Sequence, residues 1–376
     1  MQNETEIKKG LDGVVVDASG VSKVMPEINA LTYRGYTVQD LAEHCRFEEV
    51  AHLLLEGELP NQTQLESFQT EERDNRAIGD DLMAVIARYP KDCHPMDSTR
   101  TSISFLGLAD PETADNTPEA NRRKAMRLLA KIPTAIAAVF RHRRGKKPIP
   151  PDPTLGFSEN IFHMCFDDVP EAEVAKAFDG SLTLYAEHGF NASTFTARVI
   201  TSSRSDLHGA IAGAVASLKG PLHGGANEAV MHMLNEIGEP SRARQWVLEA
   251  LAAKRLVMGF GHRVYRKGDS RVPTMKKYFL KVAEWKGETT LPEISQIVED
   301  TMIEQKNIYP NVDFPAGPTY HLMGFDIDFF TPIFVMSRIT GWCAHIFEQW
   351  ADNRLIRPLS AYTGPEQRQV RPIDAR

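Results

Sequence analysis

"VQDLAEHCRFEEVAHLLLEGELP" (Val38 to Pro60) brings Leu41, Cys45, Val50, Leu53 and Leu54 round at helical spacing, and Gly57 and Pro60 then interrupt the pattern. Residues three and four apart share one face of a helix, so this stretch presents a single apolar stripe and stops where glycine and proline withdraw support. Most segments read the same way and no extended region alternates with period two, which predicts an all-α protein. From Val174 to Lys219 the pattern is almost continuously helical. Near its end "GAIAGAVASLKG" is crowded with Gly, Ala and Ser, which fits a tight helix pair, a subunit interface or an ordinary buried helix. "LADPETADNTPEANRR" (Leu108 to Arg123) carries two prolines and many small polar residues, marking a surface loop and the best candidate for disorder. "RHRRGKKP" (Arg141 to Pro148) follows an apolar run, so its cations fall at a helix C-terminus and complement the dipole; a phosphate site is the alternative.

With 376 residues, 42% hydrophobic and 25% charged, the chain can bury a core in one large or two unequal domains. A net charge of -7 argues against a dedicated nucleic-acid binder, which needs a whole basic face. Cys45, Cys93, Cys165 and Cys343 are scattered without paired spacing, so neither a disulfide framework nor a zinc site is suggested and a reducing cytoplasm fits. The start, "MQNETEIKKG", is polar, and no apolar run approaches the roughly 18 residues of a membrane helix.

Four stretches in the second half depart from this background: "EHGFNASTFTARV" around His188, "GPLHGGANEAV" around His223, "VMGFGHRVYRKGDSRVP" with His262, and "YPNVDFPAGPTY" with Asp313. A core histidine has no need of glycine neighbours, whereas an imidazole aimed at a ligand does. "GFGH" is not a dinucleotide fingerprint, because Val264 stands where the third glycine belongs, and no P-loop occurs. Between Lys254 and Lys277 eight cations face one acid, Asp269, a local imbalance that suits an anionic ligand. Arg338, Arg354 and Arg357 add planar forks that fit carboxylates, although surface salt bridges explain any one of them equally well. Asp313, flanked by hydrophobic residues and turn formers, is either a desolvated base suited to taking a proton from carbon or a helix-capping carboxylate.

Taken together, the four stretches resemble the citrate synthase family in order and spacing, with "YRGY" (Tyr33 to Tyr36) and "ELP" supporting the likeness near the N-terminus. "CHPMD", "FTPIFVMSRITGWCAHIFEQ" and the terminal "RPIDAR" are most similar to the actinobacterial and proteobacterial branch that forms 2-methylcitrate. The resemblance implies a two-domain helical homodimer, with residues 1–220 and 326–376 forming a large domain and 221–325 a small domain that closes over substrates. It implies oxaloacetate and propionyl-CoA or acetyl-CoA as substrates, no metal and no permanently bound cofactor.

By motif, Asp313 would take the α-proton, His223 would stabilise the enol or enolate, and His262 would protonate the ketone oxygen of oxaloacetate. His188, Arg271 and Arg338 would bind oxaloacetate, with Arg357 reaching in from the other protomer. Leu256, Val257, Met258, Gly259, Phe260 and Gly261 resemble the family's adenine-binding strip, and Arg266 and Asn311 would also meet coenzyme A. The chain does not carry the long N-terminal extension of the NADH-inhibited members, which implies a dimer without that control. Two other classes use parts of the pattern: a metal-dependent lyase or hydrolase with the histidines and Asp313 as ligands, and a catalytically silent coenzyme A-binding regulator.

Overall fold

The computed structural model describes residues 7–261, Tyr265 and residues 268–376. Three short antiparallel strands, β1 (Ser22–Met25), β2 (Ala30–Tyr33) and β3 (Tyr36–Thr37), precede sixteen helices among the described residues. These are α1 (Val38–His44), α2 (Phe47–Glu56), α3 (Gln62–Asp74), α4 (Asp80–Ile86), α5 (Pro95–Ala109), α6 (Pro118–Arg143), α7 (Phe157–Phe166) and α8 (Ala172–Tyr185). There follow α9 (Ala192–Ser202), α10 (Leu207–Leu218), α11 (Ala226–Ile237), α12 (Pro240–Ala252), α13 (Val272–Lys286), α14 (Thr290–Lys306), α15 (Asp313–Leu322) and α16 (Phe330–Ala351). The helical fold agrees with the periodicity, and the small sheet is an addition to it.

The opening stretch is two helices, not one. Cys45 and Arg46 are extended, and the first amide of α2, at Phe47, is taken by the half-buried carboxylate of Asp179 at 2.8 Å. Glu49 reaches back to the Arg46 amide at 2.7 Å, so orphan donors at the new helix start are satisfied. Leu41, Val50, Leu53 and Leu54 enter the core as their spacing predicts, and Gly57 closes α2 at a left-handed φ of 98°. The long helical run from Val174 is likewise broken after Tyr185 and again at 203–206.

α16 is buried along most of its length and touches α2, α6, α8, α9 and α10. The helices α11 to α15 pack largely on one another and meet the rest through α13 against α8 and α11 against α16. The small residues of α10 do allow close helix pairing: a Cβ on Gly213 would stand 2.2 Å from Ile200 Cδ1 of α9. The proline-bearing loop is confined to residues 110–117 and is held down, with Arg127 bidentate to Asp110 and buried Lys124 donating to backbone carbonyls there. The basic cluster ends α6, where Arg143 pairs with Asp328 and Arg144 with Asp326, the structural role rather than a phosphate site. Among the described residues no helix is long and apolar enough to cross a membrane.

Candidate active site

His223 sits on the turn between α10 and α11. Its amide donates to Gly220 O at 2.9 Å and that of Gly224 to Leu218 O at 2.9 Å, winding the chain so tightly that a Cβ on Gly224 would meet Leu218 O at 2.6 Å. The turn aims the imidazole at the first residues of α9, where the Ser193 amide donates to Nε2 at 3.2 Å and the Ser193 hydroxyl lies 2.8 Å away. A backbone amide can only donate, so Nε2 is the bare nitrogen and the proton of the neutral ring sits on Nδ1. Asn191, capping α9, orients the Ser193 hydroxyl at 2.8 Å, and Trp342 donates to that hydroxyl at 3.1 Å. Burial, reinforced by the charge of Arg338, pushes the imidazole down to about 3, so it stays neutral at physiological pH.

Asp313 begins α15. Its amide is bound by Asn311 Oδ1 at 3.1 Å, and its Oδ1 accepts from the Tyr185 hydroxyl at 2.6 Å. Burial raises the carboxyl to about 6, against the opposing Tyr185 bond and the charge of Arg271. A carboxylate titrating there is a stronger base than an ordinary aspartate and is still ionised at neutral pH. Phe334 joins this group to His223: its ring lies 4.2 Å from that of Tyr185 and 6.4 Å from that of His223, with the Arg338 guanidinium 4.6 Å from its centre.

Two buried arginines converge on the carbonyl end of α8, where the helix dipole favours cations. Arg271 Nη1 donates to Leu184 O at 3.4 Å and Arg338 Nε to Tyr185 O at 2.6 Å. Burial disfavours both charges. Asp269, bound to Arg271 through Nε at 3.0 Å and Nη2 at 2.7 Å, keeps Arg271 above its ordinary range, and Asp269 itself is held low. Asp269 also accepts from the Val312 amide at 3.1 Å, so the pair steadies the chain immediately before Asp313. Arg338 has no such bidentate partner among the described residues; burial lowers it to about 10, with Glu187 the chief opposing charge. Its Nη1 is buried and makes no hydrogen bond among the described residues, a donor that can serve an anion. His188 lies just beyond α8, 8% exposed, with its ring edge-on to Tyr265 at 5.7 Å.

Behind this cluster Glu187 is fully buried. Its Oε1 accepts from Ser22 and His345, each at 2.9 Å, and from the Gly189 amide, while Oε2 presses on α16 at Gly341, where a Cβ would stand 2.3 Å away. Burial opposes its charge but His345 and Arg338 keep the carboxyl below its ordinary value.

The strip Leu256 to Gly261 runs beside the base. Phe260 bridges Pro310, Gly261 N donates to Tyr309 O, and Asn311 donates through its amide to Gly259 O and through Nδ2 to Gly261 O, each at 2.9 Å. Gly259 has φ +81° and packs so closely on Val230 and Phe314 that no side chain fits. Val257 is buried and Met258 partly so, whereas Leu256 is 72% exposed.

His262 and Arg266 lie outside the described residues. Arg357 is exposed on its own chain. The neighbouring Ile356 amide binds Ser202 Oγ at 3.1 Å, at the opposite end of α9 from Ser193, and nine residues of helix span about 14 Å. Among the described residues no group of three or more His, Cys, Asp or Glu is placed to hold a metal. Tyr185, Ser193, Phe334 and Glu187 were not singled out from the sequence, and Asp269 stood out there only as the one acid of the basic run. For Ser193 a signal existed, since Asn191 with Thr194 reads as a helix start.

The family described as "Citrate synthase, C-terminal domain" matches residues 10–359. A 2-methylcitrate synthase of Mycobacterium tuberculosis is 56% identical over 363 residues, 96% of this chain and 92% of that one. A citrate synthase of Mycolicibacterium smegmatis is 54% identical, covering 97% of both chains. Among solved structures, the citrate synthase of Thermoplasma acidophilum in ternary complex with carboxymethyl coenzyme A and oxaloacetate superposes with a TM-score of 0.93 at 31% identity, over 99% of this chain and 100% of that one. Sequence and fold agree along almost the whole length, and the chain belongs to the citrate synthase family.

Proposed function

We propose that the protein is a 2-methylcitrate synthase, condensing oxaloacetate with propionyl-CoA and, as a second substrate, acetyl-CoA. The observation that carries the reaction type is the half-buried carboxylate of Asp313 held by Tyr185, whose ring shares Phe334 as a neighbour with a neutral, Nδ1-protonated His223. Asp313 takes a proton from the α-carbon of the thioester, and Nδ1–H of His223 donates to the thioester oxygen as enolate character develops. Arg271, Arg338 and His188 hold the oxaloacetate carboxylates and carbonyl, Arg338 through the donor that has no partner among the described residues. His262 protonates the ketone oxygen as the carbon–carbon bond forms. Water then cleaves the methylcitryl thioester to 2-methylcitrate and free coenzyme A.

Residues 221–325 act as a small domain that closes over the substrates and excludes water until condensation is complete. The strip 256–261 with Asn311 and Arg266 receives coenzyme A, and the working unit is a cytoplasmic homodimer in which Arg357 completes the partner's site. The likeness to a mycobacterial 2-methylcitrate synthase supports propionyl-CoA as the main substrate, and that to a citrate synthase at 54% supports acetyl-CoA as the second. One methylene separates the two, about 0.8 kcal/mol of burial and about 10- to 200-fold in discrimination. Steady-state kcat/KM for both thioesters, followed by coenzyme A release with oxaloacetate present, tests the reading. A marked acetyl-CoA preference overturns the choice of substrate, and no release with either overturns the condensation.

A further inference from the structure

The turn that carries His223 is anchored at both ends to the start of α5. Before the turn, Lys219 Nζ contacts Asp97 Oδ2 at 2.7 Å. After it, Glu228 in the first turn of α11 contacts His94 Nε2 at 3.2 Å, and its other oxygen accepts from the Thr331 hydroxyl, which also lies 3.3 Å from Gly224 O. His94 is at the same time the N-cap of α5, its Nδ1 accepting from the Met96 amide at 3.1 Å. That amide can only donate, so Nδ1 is bare, the proton sits on Nε2, and a neutral imidazole donates to Glu228.

The anchored helix also supports the base. A Cβ on Gly317 of α15 would stand 2.6 Å from Asn227 O, so α11 and the helix that begins with Asp313 are in backbone contact. One beam therefore carries the His223 turn at its N-terminus and buttresses Asp313 along its side. Resting on the function proposed above, we infer that His94 and Glu228 are positioning residues: with Thr331 they fix the end of α11 and thereby set the separation of the His223 imidazole from the Asp313 carboxylate. Neither touches substrate. Their effect is on the alignment of two groups whose misplacement by about 1 Å can lower a rate about 100-fold.

His94→Asn separates this role from helix capping, because asparagine is a good N-cap but is too short to reach Glu228. The expected result is a fall in kcat of about tenfold, with the KM for oxaloacetate within about twofold of wild type and an unchanged melting temperature. Glu228→Gln keeps an acceptor for His94, and its amide nitrogen can donate to the Thr331 hydroxyl, whose own proton then goes to Gly224 O, so it should retain most of kcat, while Glu228→Ala should lose it as His94→Asn does. Wild-type kcat in His94→Asn and Glu228→Ala overturns the inference, as does loss of kcat only in step with lost folding in all three. His223→Ala, assayed alongside, keeps the two readings apart: an active His223→Ala refutes the role of His223 itself, whereas an inactive one beside a fully active His94→Asn refutes only the anchor.

Discussion

Replacing Tyr185 with phenylalanine tests whether one hydroxyl tunes the base. The Tyr185 hydroxyl donates to Asp313 Oδ1 over 2.6 Å and is the chief influence opposing burial, which together leave the carboxyl at about 6. A hydrogen bond to a charged group contributes about 1.5–3 kcal/mol, and about 1.4 kcal/mol corresponds to one pH unit of titration, so its loss carries the carboxyl to about 7–8. At pH 7 a base titrating near 6 is about nine-tenths ionised and one near 7.5 about a quarter, so kcat at that pH falls about fourfold. The phenyl ring keeps the packing on Phe334, 4.2 Å away, so the change isolates the hydroxyl. The assay is kcat for coenzyme A release from about pH 5.5 to 9.5 at saturating substrates. The acid limb should move upward, with wild type and variant converging at the alkaline end. A limb that stays in place, moves down, or gives way to an equal loss at every pH refutes the reasoning.

Three further outcomes follow from the same geometry. Because the folded-state carboxyl of Asp313 lies at about 6 against an ordinary 3.8, the folded protein loses stability as pH rises through that interval. Asp313→Asn should therefore abolish nearly all turnover, yet melt a few degrees above wild type at pH 8 and level with it at pH 4, by scanning calorimetry. Gly317→Ala should lower both melting temperature and kcat by forcing α15 off Asn227 O; a gain of the roughly 1 kcal/mol that alanine normally brings to a helix would contradict the close approach. Mixing and refolding the inactive Arg357→Ala and Asp313→Asn proteins should restore up to about a quarter of wild-type activity through hybrid dimers with one intact site. No recovery would place Arg357 within its own chain's site.

The helices were legible because each buries a stripe that its own residues spell out. What escaped was set by contacts across the chain. The division between α1 and α2 depends on Asp179 claiming the Phe47 amide, 132 positions away. The strands, two to four residues long, are too short to establish a period of two. At the site, the histidines, Asp313 and the arginines announce themselves by residue type and glycine-rich surroundings. Tyr185 and Phe334 look like ordinary apolar helix residues, and Asp269 like the counterion of a basic run. Their part emerges only when α8, α15 and α16 meet, since the hydrogen bond to Asp313 and the ring shared with His223 belong to no single segment.

The notch in α16 at Gly341 constrains how this protein can change by single mutations. Glu187 Oε2 occupies the space that any side chain at 341 would need, and its other oxygen depends on His345 one helical turn further on. Substitution at 341 is barred whatever stands at 187, because the backbone carbonyl of Ala186 crowds the same space, and a smaller residue at 187 strands His345 in the interior without its acceptor. Evolutionary drift therefore leaves 341 a glycine and is epistatic between 187 and 345 alone: each of those changes becomes tolerable only in the company of the other, and mutational scans made one residue at a time will understate the variety that pair can accept.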